Sequence, residues 1–409
     1  MAQRTVRRIV LIQPAYPYGS PQIYLPGSLL NLGARLMQVG FVADLIDLNR
    51  TDLLSLPART KLAASDFIGI TVLGTPYIPE VRDIVARLRA EGYNQTVLIG
   101  GEGIVRITAD QFAKIFYDLG DVQQVCSDDD LRTTLGLTLV RLPTKFETSM
   151  VPMLCLLGEQ ALRDYLRQEF CLFISHGCVY NCNFCAAAKD EREKYRDLDR
   201  LLEEVEFIAA FLAKIGHPTM TVYLSNLDAL QSWSKLDETL RRVHETAARH
   251  GVQLRARALA TTHFTALALR RDPNILQRLH DHGLWMLGFG VDGVTEEVWR
   301  RQNKRHNSMI EFDACVAACK AAGIEAEALM VIGLPGETLT ETIAAFIWSL
   351  RKAYGDRIAV RAYLGKDGAP GSKRWQDDSA WVQHFLDDPS SLLNVEYTMF
   401  ASSATHQDP

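Results

Sequence analysis

Residues 175–185 read SHGCVYNCNFC, a loop sequence in which three cysteines follow one another at the spacing C-x3-C-x2-C. The three are Cys178, Cys182 and Cys185. Thiolates this close together can converge on one face of a metal centre, and an iron-sulfur cluster held by three thiolates keeps one iron open to an outside ligand. A structural zinc site usually has four ligands, so zinc would have to recruit another, such as His176. Three unrelated packing cysteines are a further alternative, although Gly177 and Asn181 indicate a loop.

The composition is that of an ordinary globular protein with room for two domains. The chain has 409 residues, 47% of them hydrophobic, and a formal net charge of −5. A mildly acidic chain has no global field to attract phosphate backbones, so we expect no nucleic acid and no membrane as partners. We find no stretch of roughly 20 apolar residues that could span a bilayer and no signal-peptide core, which predicts a cytoplasmic protein. Eight cysteines in such a chain favour metal binding or catalysis over disulfides.

The part of the chain N-terminal to the cysteine loop begins with alternating strands and helices. Apolar runs predict strands at 8–12, 42–48, 66–73 and 96–99. Alternation of this kind predicts an α/β fold, here an N-terminal Rossmann-like domain with a parallel, doubly wound sheet over residues 1–125. Residues 126–169 are less regular and contain prolines, so we expect a linker with one short helix.

The alternation resumes at Phe170. Strands are predicted at 170–175, 219–225, 252–259, 284–290, 324–332 and 357–363, with amphipathic helices between them. Six such units form either an open parallel sheet or a partial (β/α)6 TIM-type barrel over 170–365, and in both cases chemistry takes place at the carboxyl ends of the strands. Residues 366–409 are predicted to be a polar C-terminal extension.

The cysteine loop, with the aromatic Phe184 just before the last cysteine, resembles the signature of the radical S-adenosylmethionine (SAM) superfamily. The resemblance implies that Cys178, Cys182 and Cys185 bind three irons of a 4Fe-4S cluster and that SAM chelates the fourth. It further implies that one electron cleaves a carbon-sulfur bond of SAM, usually giving a 5′-deoxyadenosyl radical that abstracts hydrogen from a small-molecule substrate. An electron donor such as flavodoxin or ferredoxin would then be a partner.

Two strand ends resemble SAM-binding segments of that superfamily. The stretch 330–338, MVIGLPGET, resembles a strand-loop-helix segment whose backbone contacts the adenine, which makes Gly333 and Leu334 candidates. A plain turn would read similarly. The strand 219–225 ends where the superfamily usually binds the methionine amino group, but the common Gly-Gly-Glu is missing. Ser225 and Asn226, with Asp228 beyond, are the substitutes.

Charged residues at three further positions have open roles. Asp292 lies where relatives often carry Gly-x-Glu-Ser, so it either faces the cofactor or belongs to a turn-forming Asp-Gly. Arg257 shares one face of its strand with Arg255, and it either clamps a cofactor or substrate carboxylate inside the barrel or forms a surface salt bridge. Lys304 and its neighbours 305–306 are predicted to be mostly helix-end residues or solvated charge.

The N-terminal region resembles the cobalamin-binding Rossmann-like domain that often precedes the radical SAM half. In that family Ser-x-Leu at a strand end is followed by Gly-Gly, and the corresponding residues here are Thr71, Leu73, Gly100 and Gly101. The family's Asp-x-His-x-x-Gly motif is absent, so an axial histidine for cobalamin is not expected. An empty, purely structural flavodoxin-like domain is the alternative.

These resemblances imply a radical SAM enzyme, in which one SAM could methylate cobalamin and a second could generate the substrate radical that takes the methyl group. The alternative is cobalamin-independent rearrangement, dehydration, cyclisation or transfer of a SAM fragment. A non-enzymatic cobalamin or metal sensor belongs to another class, and it would need an output module that we do not find. No catalytic acid or base can be named.

The remaining cysteines are predicted to be structural, namely Cys126, Cys155, Cys171, Cys315 and Cys319.

Overall fold

The protein is described from a computed structural model. It describes residues 6–15, 24–74, 77–105, 107–185, 192–332, 334, 336–364 and 399–401. The described residues fall into two compact units, which divide between Tyr165 and Leu166. None of the helices in these ranges has the length and apolar character needed to cross a bilayer.

A five-stranded parallel sheet forms the centre of the first unit. Its strands are β1 (Arg8–Gln13), β2 (Val42–Asp47), β3 (Phe67–Thr71), β4 (Thr96–Gly100) and β5 (Val122–Val125). They are hydrogen-bonded in the order β2-β1-β3-β4-β5, so the chain reverses its direction across the sheet after β2, as a doubly wound sheet does. Central strands such as β1 and β4 are buried along most of their length, because helices cover both faces. The Rossmann-like prediction is confirmed.

The helices of this unit follow the strands with short connections. They are α1 (Gly27–Gln38), α2 (Leu56–Ala63), α3 (Ile78–Ala90), α4 (Glu102–Val105), α5 (Ala109–Phe116), α6 (Asp128–Thr134), α7 (Val151–Leu154) and α8 (Glu159–Leu166). Side-chain caps begin several of them: Ser55 accepts a hydrogen bond from a backbone N–H of α2, and Thr108 and Gln111 form a capping box at α5.

Residues 126–165 differ from the expected linker with one short helix. They contain α6, α7 and most of α8, and they belong to the first unit. Met153 on α7 is 1% exposed and packs so closely on α1 that a Cβ at Gly33 would lie 2.7 Å from its sulfur. Near the unit's edge, the hydroxyl of Tyr165 donates a 2.5 Å hydrogen bond to Asp47 at the end of β2. Helices of four to eight residues have too few turns to show a clear period in the sequence, which is why two of them were missed.

The second unit contains a larger sheet and a two-stranded hairpin. The strands are β6 (Phe170–Phe173), β7 (Ser175–His176), β8 (Lys194–Tyr195), β9 (Thr219–Ser225), β10 (Gln253–Ala260), β11 (Leu284–Gly290), β12 (Glu325–Ile332), β13 (Ala359–Leu364) and β14 (Met399–Ala401). Strands β7 and β8 pair with each other, and the remaining strands form one sheet in the order β14-β13-β12-β11-β10-β9-β6. All six strands predicted from the sequence are therefore present.

The strand order decides between an open doubly wound sheet and a barrel-like one. Within the large sheet, β6 and β9 to β13 follow one another side by side, and each strand is parallel to the previous one. Right-handed crossovers that always move in one direction place every helix on the same face of the sheet, which is the arrangement of a (β/α) barrel. Strand β6 remains an edge of the sheet, so the barrel is partial, as expected.

The helices of this unit lie on the outer face. They are α9 (Leu198–Lys214), α10 (Trp233–Ala248), α11 (Thr262–Arg271), α12 (Ile275–Asp281), α13 (Glu296–Arg301), α14 (Met309–Ala321) and α15 (Leu339–Leu350), followed by a π-helical turn at Arg351–Gly355. Phe289 of β11 packs on Phe312 of α14, with ring centroids 6.2 Å apart. On the opposite, inner face of β11, a Cβ at Gly288 would meet Leu259 at 2.8 Å and Glu327 at 3.3 Å. The inner face therefore carries both apolar and charged side chains.

Candidate functional site

The cysteine loop begins directly after β7, in the connection between β7 and β8, close to the carboxyl end of β6. Gly177 has φ +116°, and a Cβ there would lie 2.6 Å from the carbonyl oxygen of Arg192. Only glycine fits at this close approach of two backbone segments, so the hairpin and the loop depend on it. Further along, the backbone N–H of Cys185 donates to the carbonyl of Cys182 at 3.1 Å, which turns the chain between these two cysteines.

The three cysteines are free thiols, each between buried and exposed. Burial raises the pKa of the Cys178 thiol and raises that of Cys182 to about 11, and each of the two is also raised by the other cysteines near it. Thiols that disfavour one another's ionisation need a cation to hold them together as thiolates. Within the described ranges no three Cys, His, Asp or Glu side chains lie close enough together to hold one metal ion. A cluster does not require this, because each of its cysteines binds a different iron. The donor set fits a three-thiolate iron-sulfur cluster.

The last residue of α13 and the segment after it hold the cysteine loop in place through three hydrogen bonds. The backbone N–H of Asn183 donates to the carbonyl of Gln302 at 2.9 Å, and its side chain donates to the carbonyl of Arg301 at 2.7 Å. In return, the side chain of Asn303 donates to the carbonyl of Asn181 at 2.7 Å. Asn303 has φ 52°, a conformation that asparagine tolerates better than most residues. The loop between Cys178 and Cys185 is thus fixed to a neighbouring strand-helix unit of the barrel.

An aromatic stack fixes the other half of the loop. The ring of Tyr180 lies flat on the imidazole of His306, with centroids 3.5 Å apart, and 5.6 Å from the ring of Phe264. Burial lowers the pKa of His306 to about 3, with a further contribution from Lys304. The imidazole is therefore neutral at physiological pH and stacks as an uncharged ring.

Asp292 takes part in a buried ion pair, and its role facing the cofactor stays a prediction. Its carboxylate accepts a 2.6 Å hydrogen bond from the ammonium of Lys304 and a 3.1 Å bond from the backbone N–H of Val331. Lys304 also donates to the carbonyl of Gly290 at 2.7 Å, and its residue is only 4% exposed. Lys304 does lie at a helix end, because its backbone N–H donates to the carbonyl of Trp299 in α13 at 2.7 Å, but the prediction of a solvated charge is wrong. Sequence reasoning missed this residue because its acidic partner is twelve positions away and no periodic pattern connects them.

The polar side chains at the end of β9 are held by hydrogen bonds to other groups of the protein. The Asn226 amide satisfies both its groups when it donates to the carbonyl of Leu224 and accepts from the N–H of Ala229, each at 3.0 Å. Asp228 accepts hydrogen bonds from the backbone N–H and the hydroxyl of Thr261 at 3.1 and 2.8 Å. Burial raises the Asp228 pKa to about 7. Ser225 lies half-buried at the strand end, and its role as a SAM contact stays a prediction, as does that of Asn226.

Arg257 forms an ion-pair cluster rather than an isolated clamp. Its guanidinium donates two hydrogen bonds to Glu169, at 2.6 and 2.8 Å, and lies 3.8 Å from Glu327 and over the ring of Tyr223. Neither of the two predicted roles describes this cluster fully. The side chain points to the inner face, where Glu327 is almost fully buried. Its guanidinium is already paired with the carboxylates of Glu169 and Glu327.

Of the adenine-binding candidates, Gly333 lies outside the described residues. Leu334 is buried, and its backbone N–H donates to the carboxylate of Glu337 at 2.6 Å. The Glu337 N–H donates back to the Leu334 carbonyl at 2.9 Å, which closes a tight turn after β12. Phe184 lies near this unit's buried ion pair, with its ring centroid 5.7 Å from the Lys304 ammonium.

In the first unit, the predicted cobalamin residues meet at the carboxyl edge of the sheet. Thr71 ends β3 and is buried, whereas Leu73 beyond it is 40% exposed. Gly101 has φ +104°, and a Cβ there would lie 2.6 Å from the carbonyl oxygen of Val72. Gly103 is equally tight against Gly74, whereas a Cβ at Gly100 would be 3.2 Å from Val125. These glycines let the ends of β3 and β4 approach each other, a structural role that exists without any ligand.

The other cysteines have separate environments. Cys315 and Cys319 on α14 are fully buried, and Cys126, Cys155 and Cys171 are exposed. Burial raises the pKa of Cys315 and of Cys319 to about 12, so both remain neutral thiols.

Comparison with known proteins places the second unit in a family. Residues 172–347 match the sequence profile of the Radical SAM superfamily, a range from β6 into α15 that includes all three cysteines of the loop. No curated protein sequence matches the chain significantly.

Two solved structures share the fold over most of the chain. One is the radical SAM methyltransferase TsrM from Kitasatospora setae, solved with cobalamin and a [4Fe-4S] cluster. It is 17% identical with a TM-score of 0.64, over 90% of this chain and 77% of that one. The other is OxsB, a cobalamin-dependent SAM radical enzyme solved with aqua-cobalamin and SAM. It is 13% identical with a TM-score of 0.65, over 96% of this chain and 57% of that one. Enzymes of the superfamily use a 4Fe-4S cluster and SAM. Residues 172–347 of the second unit therefore form a domain of the Radical SAM superfamily.

Proposed function

We propose that the enzyme transfers a methyl group from SAM to a carbon atom of a small-molecule substrate and that it uses cobalamin bound by the first unit. The observation that carries the proposal is the combination of units. A five-stranded Rossmann-like unit precedes a radical SAM partial barrel in one chain, and the two cobalamin-containing structures share the fold over 90% and 96% of this chain.

In the second unit, Cys178, Cys182 and Cys185 would hold the cluster. Their thiols are half-buried, and their mutual repulsion as thiolates is relieved only by a bound cation. When bound, a 4Fe-4S cluster supplies one electron that cleaves SAM reductively, and the electron would come from a donor such as flavodoxin or ferredoxin. The contribution of the protein is to hold the loop rigidly, through Asn183 and Asn303, and to exclude water from it.

The inner face of the barrel would receive the substrate. Arg257 and Glu327 give it fixed charges near the middle of the strands, while Leu259 and Leu329 give it apolar surface. A cavity with few, well-placed polar groups among apolar ones is typical of small-molecule sites. It also limits side reactions of a radical with water.

A second candidate is a radical SAM reaction without cobalamin, and a specific observation favours it. Gly101 and Gly103 are already explained by backbone packing against Val72 and Gly74, and the histidine motif of cobalamin domains is missing from the sequence. The first unit would then be structural, and the reaction would be a rearrangement, dehydration, cyclisation or transfer of a SAM fragment.

Cobalamin retention and the products of SAM separate the two candidates. The full chain is purified anaerobically with iron, sulfide and cobalamin, passed through gel filtration, and then incubated with SAM and dithionite. Retained cobalamin together with cobalamin-dependent release of S-adenosylhomocysteine supports methyl transfer. Release of 5′-deoxyadenosine alone, with no cobalamin retained, contradicts it and supports the second candidate.

A matched pair of variants localises the cofactor. Leu73 is 40% exposed at the carboxyl edge of the sheet, whereas Tyr117 is 80% exposed at the end of α5. Leu73→Glu is expected to reduce cobalamin retention, since a charge would face an apolar part of the cofactor, and Tyr117→Glu is expected to leave it unchanged. Equal retention by both variants would contradict the placement at this edge.

A further inference from the structure

The buried ammonium of Lys304 lies beside the cysteine loop, and the proposed function gives it no role. Its side chain is 6% exposed, and its position is fixed by the Gly290 carbonyl at 2.7 Å and the Asp292 carboxylate at 2.6 Å. Phe184, the neighbour of Cys185, has its ring 5.7 Å from the ammonium. The preceding residue, Asn303, is hydrogen-bonded to the carbonyl of Asn181 inside the loop.

The surroundings are shaped around this ion pair. A Cβ at Gly290 would lie 3.0 Å from the Lys304 nitrogen and 3.2 Å from an Asp292 oxygen, so the glycine leaves the space that the pair occupies. Asp292 has φ 43°, a conformation that costs free energy for a non-glycine residue and persists only where its surroundings hold it. The costly backbone conformation of Asp292 and the space left by Gly290 together indicate that the geometry of the pair is specified.

The charge of the lysine acts close to the cysteine loop. Its ammonium lies 5.7 Å from the ring of Phe184, the residue before Cys185, and the residue before the lysine, Asn303, is hydrogen-bonded to the loop. The lysine side chain is almost fully buried, and water screens a buried charge much less than a surface charge. Its positive field therefore reaches the cysteines of the loop.

We propose that Lys304 is an electrostatic positioning residue that raises the reduction potential of the iron-sulfur cluster and so facilitates its reduction. The inference rests on the proposed binding of the cluster by Cys178, Cys182 and Cys185. Reduction adds one electron, taken from an external low-potential reductant, to a cluster that three thiolates already make electron-rich, and no bond is formed or broken. A buried cation stabilises the reduced form more than the oxidised form, and net charge near the cluster is one of the factors that set its potential.

The charges predict opposite effects for the two partners. Lys304→Gln removes the positive charge and is expected to make the midpoint potential more negative. Asp292→Asn removes the opposing negative charge and is expected to make it less negative, and Lys304→Arg is expected to stay close to the wild-type value. Lys320→Gln is the matched control, because Lys320 is an exposed lysine on α14 of the same unit.

The experiment is a redox titration of the anaerobically reconstituted full chain without SAM, followed by EPR and visible absorbance, with iron and sulfide measured for each variant. Opposite shifts for Lys304→Gln and Asp292→Asn support the proposal. Shifts in the same direction, or a Lys304→Gln potential equal to that of Lys320→Gln, overturn it. If Lys304→Gln does not retain a cluster, the sign of the Asp292→Asn shift decides. Absence of a cluster from the wild-type chain would instead contradict the proposed function, so the two failures are distinguishable.

Discussion

The buried ion pair between Arg196 and Glu204 offers the sharpest test of how the barrel supports the cysteine loop. Arg196 follows β8 and its backbone N–H donates to the carbonyl of Ile174 at 2.8 Å, while Glu204 lies on α9. The two side chains form a bidentate contact, one bond of which is 2.6 Å, and they are 1% and 0% exposed. The pair therefore ties the hairpin whose strands flank the cysteine loop to a helix of the barrel.

Arg196→Met would leave the Glu204 carboxylate buried without its cation. Breaking one side of a buried pair costs about 3–5 kcal/mol, and 1 kcal/mol lowers the melting temperature of a unit of this size by about 2–4 °C. We therefore expect a loss of roughly 6–20 °C. The double variant Arg196→Met/Glu204→Leu should recover much of the loss, because replacing both charges by apolar groups is often close to neutral.

Tryptophan fluorescence reports mainly on this unit, because the four tryptophans among the described residues, Trp233, Trp285, Trp299 and Trp348, all lie in it. Thermal unfolding of the apoprotein is compared for the wild type, the single variant and the double variant. Arg241→Met is the control, since Arg241 forms exposed pairs with Glu238 and Glu245 and its loss should leave the melting temperature unchanged. The reasoning is refuted if Arg196→Met melts like the wild type, or if the double variant is no more stable than the single one.

Two further predictions concern other parts of the chain. Gly101→Ala should destabilise the first unit by more than about 1 kcal/mol, because φ is +104° and the new Cβ would meet the Val72 carbonyl at 2.6 Å; Gly158→Ala, where there is open space, is the control, and equal urea midpoints by circular dichroism would contradict the expectation. For Asp228, burial raises the folded-state pKa to about 7 from the usual value of 3.8 for an aspartate, so its contribution to stability is largest below pH 4 and is lost as the pH rises towards 7. Relative to Asp228→Asn, the wild type should therefore lose stability between pH 4.5 and 8, and a constant difference across that range would show that the carboxyl group does not titrate there.

Much of the fold was predictable because parallel strands covered on both faces are continuous apolar runs. The stretches that became β9, β11 and β12 were predicted within a residue or two of their bounds, since helices and the barrel interior exclude water from them. The cysteine loop was predictable for a different reason. Three thiols at short, fixed spacing are rarely useful for anything except a metal centre.

The remaining features depend on contacts between distant parts of the chain. The pairing of Lys304 with Asp292, and of Arg257 with Glu169 across 88 positions, is decided by which side chains meet at strand ends. The glycine pair at 100–101 matched a ligand-binding pattern, yet packing alone requires Gly101. The Gly-Gly motif thus identified a position where the backbone requires glycine, but it did not reveal whether a ligand or packing imposes that requirement.

The most direct test of the central claim is the iron and acid-labile sulfide content of the anaerobically reconstituted chain. The wild type should contain about four of each per chain. The variant Cys126→Ala/Cys155→Ala/Cys171→Ala, which removes the three exposed cysteines outside the loop, should contain the same. The variant Cys178→Ala/Cys182→Ala/Cys185→Ala should contain neither and should release no 5′-deoxyadenosine from SAM. Unchanged iron and sulfide in that last variant, or zinc without sulfide in the wild type, would contradict the assignment of the cluster to this loop.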